Sequence, residues 1–125
     1  MASDIDGSMK TADNAGLTPY VLVSAATTNA TSVVASPCRV FGLTLTNVNA
    51  SPRYVKLYDK ASAPTVGTDT PKHVYMLPGG GGIEIERRSG IDFELGLAFA
   101  TTTGAAHSDT GAVAANEVLV NIDYA

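Results

Sequence analysis

Glu84 and Glu86 stand two apart in "IEIER", and Asp92 and Glu94 repeat that spacing in "IDFEL". Paired carboxylates are what glycosidases use to cleave a glycosidic bond. Here Ile83, Ile85, Ile91 and Phe93 fill the alternate positions. Strand alternation sets those four on a core face and the four acids on a solvent face. The pattern therefore predicts a hairpin around "RRSG", with no catalytic assumption needed. His107, Ser108 and Asp109 are consecutive. A nucleophile–base–acid triad is assembled from distant segments, and no G-x-S-x-G elbow is present. His73 lies far from His107 in the chain, and the single cysteine, Cys38, cannot build a zinc site. Residues 107–110 hold too few acids for a convincing calcium loop. "PGGGG" (78–82) lacks the following Lys-Ser/Thr and helix of a phosphate loop. It reads as a hairpin or inter-sheet loop in which glycines supply positive φ.

One decorated stretch remains. In "RYVKLYDK" (53–60), Val55 and Leu57 point one way, and Tyr54, Lys56, Tyr58 and Lys60 the other. Three readings fit tyrosines beside cations: a second core layer with hydroxyls at its rim, a protein interface, or a sugar-stacking site. Arg53, Tyr54, Lys56, Tyr58 and Lys60, together with Arg87 and Arg88, are the candidate protein-contact residues. No catalytic, cofactor-binding or metal-ligating residue is expected, and the chain reads as a non-enzyme.

The composition agrees with contact over catalysis. The 125 residues suffice for one domain, and 45% are hydrophobic. Only 16% are charged, against roughly 25% in typical soluble proteins. A surface of Thr, Ser and Ala suits a protein packed against copies or partners. The net charge of −4 is unevenly spread. Residues 17–36 carry no charge, seven bases lie within 37–88, and 89–125 hold five acids and no base. Scattered bases in an acidic chain do not make the basic stripe of a nucleic-acid binder. No apolar run reaches membrane-span length, and "MASDIDGSMKTADNAG" is not a signal sequence. The sequons "NAT" (29–31) and "NAS" (49–51) read as accidental, and Cys38 as a buried small hydrophobe with no disulfide partner.

The elements that must position these residues are strands. Residues 1–17 are polar and aperiodic, which predicts a flexible arm ahead of a domain over 18–125. Strand-like runs follow at 20–26, 31–36, 38–48, 53–60, 72–77, 83–87, 91–95, 96–102 and 117–124. In 38–48, Phe41, Leu43 and Leu45 share one face, and Val40, Thr44 and Thr46 the other. Gly/Pro/Thr-rich turns separate the runs. Residues 112–117 allow one helical turn at most. About eight short antiparallel strands with no helix predict an all-β sandwich, and an eight-stranded jelly roll fits the count.

The stretches "ASPRYVKLYDKASAPTVGTDTP" and "GLAFATTTGAAHSDTGAVAANEV" carry a resemblance that covers most of 25–125. The chain resembles small structural proteins of tailed-bacteriophage virions, most closely capsid decoration, or cement, proteins. The resemblance implies a jelly-roll-like sandwich that forms dimers or trimers on the outside of a capsid, made in the host cytoplasm. It implies the major capsid protein and copies of itself as partners, with no cofactor, nucleic acid or membrane. Head-fibre, tail and receptor- or carbohydrate-binding components use similar sandwiches and stand as the alternative.

Overall fold

The computed structural model describes residues 16–125. The expected arm, apart from Gly16 and Leu17, lies outside the described residues. The strands are β1 (Thr18–Val23), β2 (Thr31–Val34), β3 (Cys38–Asn47), β4 (Arg53–Asp59), β5 (His73–Leu77), β6 (Gly82–Phe93), β7 (Leu97–Thr102) and β8 (Val118–Tyr124). They form two four-stranded sheets, β1-β8-β3-β6 and β2-β7-β4-β5, with every pairing antiparallel. Strand β1 pairs with β8, β2 with β7, β3 with β6 and β4 with β5. That order results when one long antiparallel ribbon, β1–β4 against β5–β8, is folded over on itself. It is a jelly-roll sandwich.

The inner faces supply the core by alternation. Leu43 and Leu45 of β3, Val55 and Leu57 of β4, Phe99 of β7, and Val120 and Ile122 of β8 are all buried there. Each such side chain contributes about 1.5–3 kcal/mol on burial. Strand β7 is buried on both faces. Its register with β4 sets Phe99 opposite Leu57, and Ala98 and Ala100 opposite Tyr58 and Lys56. Large residues thus face the core, and alanines face outward under two covering loops.

Two local expectations are corrected. First, Val40 is in the core and Phe41 is not. The register of β3 breaks between Val40 and Gly42 against both neighbours. This bulge inserts Phe41 and reverses the faces on either side of it. Second, "IEIER" and "IDFEL" do not form a hairpin. Residues 83–86 and 91–93 belong to the single strand β6 and pair with β3, with residues 87–90 looped out opposite Phe41 and with Glu94 and Leu95 beyond the strand. Gly90, at φ +82°, lies against the Phe41 ring, where a Cβ would come within 3.1 Å of Cε1. The faces were read correctly all the same: Ile91 and Phe93 are buried, and Glu84 and Glu86 are exposed. Residues 112–117, allowed one helical turn at most, form a loop with Asn116 at φ 59°. The glycine run joins the two sheets rather than pairing neighbouring strands. Gly80 donates its N–H to the Asn49 carbonyl at 2.8 Å, and Gly81 accepts from the Asn47 N–H at 2.8 Å.

Candidate contact surfaces

The candidate contact residues separate by what covers them. Lys56 and Tyr58, both candidate contact residues, are 0% and 1% exposed, so neither is available to a partner. Their face of the β2-β7-β4-β5 sheet is covered by the loops over 60–72 and 103–117. The Lys56 Nζ donates to the Ala106 carbonyl at 2.6 Å and the Asp109 carbonyl at 3.4 Å. Burial lowers the ammonium pKa, and nearby Asp109 opposes that shift. Tyr58 packs with Ala98, Ala100 and Val66 of the first loop. Burial, and after it Asp69, pushes its phenol pKa up. The two loops touch each other: a Cβ on Gly67 would lie 2.7 Å from the Thr110 methyl. A second core layer is therefore the reading that fits Tyr58, except that its hydroxyl is buried instead of lying at the rim, and a sugar-stacking platform keeps only Tyr54.

Lys60 and Arg53 are also turned to internal work. The Lys60 Nζ meets Asp69 Oδ2 at 2.5 Å, and the Thr65 N–H donates to the same oxygen at 2.7 Å. The Lys60 hydrogen bond, with that from Thr65, holds the Asp69 carboxyl below its ordinary range. This pair closes the loop that covers Tyr58. Arg53 Nε donates to Glu117 Oε2 at 2.6 Å, and Asn49 Nδ2 to Glu117 Oε1 at 2.7 Å. The Asn29 side-chain amide donates to the Ala25 and Thr27 carbonyls and to Thr101 Oγ1. Both asparagines of the sequons thus spend their amides within the fold. Asp59 accepts from the N–H groups of Glu94, Leu95 and Gly96 and shapes the β6–β7 turn.

Tyr54, Arg87 and Arg88 keep accessible surface. Tyr54 is half-buried beside Met76 and Thr102, its partners across the strands. Arg87 and Arg88 are exposed on the β6 loop-out. Among the described residues no group of three or more His, Cys, Asp or Glu side chains converges. Cys38 is buried, and burial, followed by Asp59 and Asp92, raises its thiol pKa.

The largest open surface is one that the candidate residues do not mark. Among the described residues, no loop seals the outer face of β1-β8-β3-β6 as the other sheet is sealed. Its register lays out three rows across all four strands: Pro19–Asp123–Gly42–Glu86, Val21–Asn121–Thr44–Glu84 and Val23–Leu119–Thr46–Gly82. The middle row grades from Val21 through Asn121 and Thr44 to Glu84, the third carries no charge, and the first holds the exposed carboxylates of Asp123 and Glu86. Val21 and Val23 are 62% and 51% exposed. The signal for it was present in the unbroken apolar run "YVLV", since a strand with one solvated face would alternate.

No family model, curated protein or solved structure matches the chain.

Proposed function

We propose that this chain is a structural protein of a tailed-phage virion, bound to the outside of the capsid and tying neighbouring major capsid subunits together. The observation that carries the reading is the unequal treatment of the two sheets. Two long loops cover one sheet, while among the described residues nothing covers the face of the other that carries Val21, Val23, Thr44, Thr46, Leu119 and Asn121. A face with so little charge at its centre loses little by desolvation when a partner covers it. The low overall charge of 16% fits the same use. Each bound copy would add buried area across a subunit boundary, and linked copies would hold by avidity. The role needs no catalytic residue, cofactor, nucleic acid or membrane.

Electron cryomicroscopy of particles carrying a labelled copy of the chain tests this. Regular label at boundaries between capsid subunits is expected, with loss of binding on Thr44→Arg or Asn121→Arg. Label confined to tails or fibres, or shell binding indifferent to both substitutions, would overturn it.

A further inference from the structure

We propose that the free edge of β1 pairs antiparallel with the β1 edge of a second copy across a two-fold axis, joining two four-stranded sheets into one continuous sheet. The sandwich has four edge strands, β1, β6, β2 and β5. Exposed strand edges recruit other chains unless charge, bulges, proline or brevity blunt them. Strand β6 carries Glu84, Glu86, Arg87, Arg88 and the looped-out residues 87–90. Strand β2 is four residues long, with a register break after Ser32. Strand β5 is five residues long and lies between Pro71-Lys72 and Pro78. Strand β1 has regular register from Thr18 to Val23, and no charge occurs anywhere in 17–36. Its one blunting device is Pro19. Among the described residues nothing pairs its outer side.

The backbone phase and the absence of charge on β1 fit a second copy as the occupant. The Ser24 N–H donates to the Val118 carbonyl at 2.9 Å, in the same register as the rest of β1–β8. Antiparallel alternation then turns Thr18, Tyr20 and Leu22 toward β8. The N–H and C=O groups of Val21 and Val23 point away from it. Place a two-fold axis at Leu22, and Val21 of each copy faces Val23 of the other. Every N–H of these residues then meets a carbonyl, and Pro19 falls outside the ladder. The edge is self-matching, and without charges it sets no like charges against each other. The side chains agree. Tyr20 and Leu22 of β1, with Val33 and Val34 of β2, pack only partly buried against the core at this side of the sandwich. A second copy would complete their burial. Val21 and Val23 of the two copies would form β-branched cross-strand pairs on the outer face.

The inference stands apart from capsid binding, since the edge can pair in solution with no shell present. Sedimentation equilibrium of the full chain at tens of micromolar is the test. The expected mass is twice 12.8 kDa, with the Val21 and Val23 amides protected in hydrogen exchange. Val23→Pro removes an N–H that serves nothing within one copy. It and Val21→Lys should sediment as single copies with unchanged circular dichroism, while Val48→Lys, on an exposed loop, should remain paired. A single-copy wild type, a closed trimer, or a Val21→Lys variant that still pairs would overturn the proposal. So would a single-copy wild type with both amides protected, because residues 1–15 of the same chain would then occupy the edge.

Discussion

Arg53 and Glu117 meet at 2.6 Å and fasten the two sheets of the sandwich to each other. Arg53 opens β4 in one sheet, and Glu117 immediately precedes β8 in the other. Asn49 and the Ala114 N–H hold the same carboxylate. Ser24 Oγ accepts the backbone N–H groups of Glu117 and Val118 at 3.0 Å. The pair is largely out of solvent, so each charge depends on the other. Removing one partner of a buried pair costs about 3–5 kcal/mol, chiefly through the charge left behind. Arg53→Met is therefore expected to lower unfolding free energy in urea by about 3 kcal/mol. The double variant Arg53→Met/Glu117→Gln should recover part of that loss; simple additivity would mean the two groups are not coupled.

Acid should act through the same carboxylate. Burial pushes the Glu117 pKa upward, but the hydrogen bonds from Arg53, Ala114 and Asn49 outweigh it and hold the folded-state pKa below the ordinary 4.5. The folded state thus binds the proton less readily than the unfolded chain. This contribution to stability is fully present above pH 4.5 and is lost as the pH falls through the folded-state pKa. Melting temperature measured between pH 6 and about pH 3 should fall more steeply in the wild type than in Glu117→Gln. Part of the slope should survive in the variant, because Asp59 and Asp69 are shifted the same way.

Lys56 should govern the loop above it. Lys56→Ala removes a buried side chain and its hydrogen bonds to Ala106 and Asp109. A loss of about 2–4 kcal/mol is expected, with faster proteolytic cutting within 103–112. Lys56→Met restores the packing without the hydrogen bonds, so it should lose less stability yet keep the faster cutting. Equal cutting rates in all three proteins would show that the ammonium does not pin the loop.

Neighbouring glycines should respond differently to alanine. A Cβ on Gly79 would lie 2.0 Å from the Ala50 carbonyl oxygen, whereas one on Gly80 meets nothing within 4 Å. Gly80 instead sits at φ +68°. Gly80→Ala should cost about 1–2 kcal/mol from backbone strain alone. Gly79→Ala should cost more, because two backbone segments must part. Urea denaturation of both variants reads the order, and the reverse order would contradict this packing of the glycine run.

Alternation made the fold class and most inward-facing residues legible: Val55, Leu57, Ile91, Phe93, Val120 and Ile122 all lie where period two puts them. It failed at Phe41, because a one-residue bulge inverts every face beyond it and leaves no composition signal. It failed to separate Tyr58 from Tyr54 for another reason. Alternation assigns a side chain to a face, but whether a distant loop covers that face is a tertiary fact. The small residues of 61–71 and 103–112 let both loops lie close against the chain's own sheet, over Tyr58 and Lys56. Arg53 and Lys60 looked like surface cations because their partners, Glu117 and Asp69, sit in other segments. The bare face was overlooked because Thr44, Thr46 and Asn121 carry no chemistry that a motif search would notice.

The place of β8 between β1 and β3 constrains how the protein can be made. Its two neighbours are synthesised early, yet neither can complete its ladder until residues through Tyr124 have left the ribosome. During translation β1 and β3 must wait with their hydrogen-bonding groups unpaired and the uncharged stretch 17–36 exposed. Closing the sheet then demands contacts of long sequence separation, which form slowly. The nascent chain should therefore be most vulnerable to off-pathway association just before β8 emerges. Moving β8 to the front of the chain by circular permutation should relieve that interval without altering the finished sandwich.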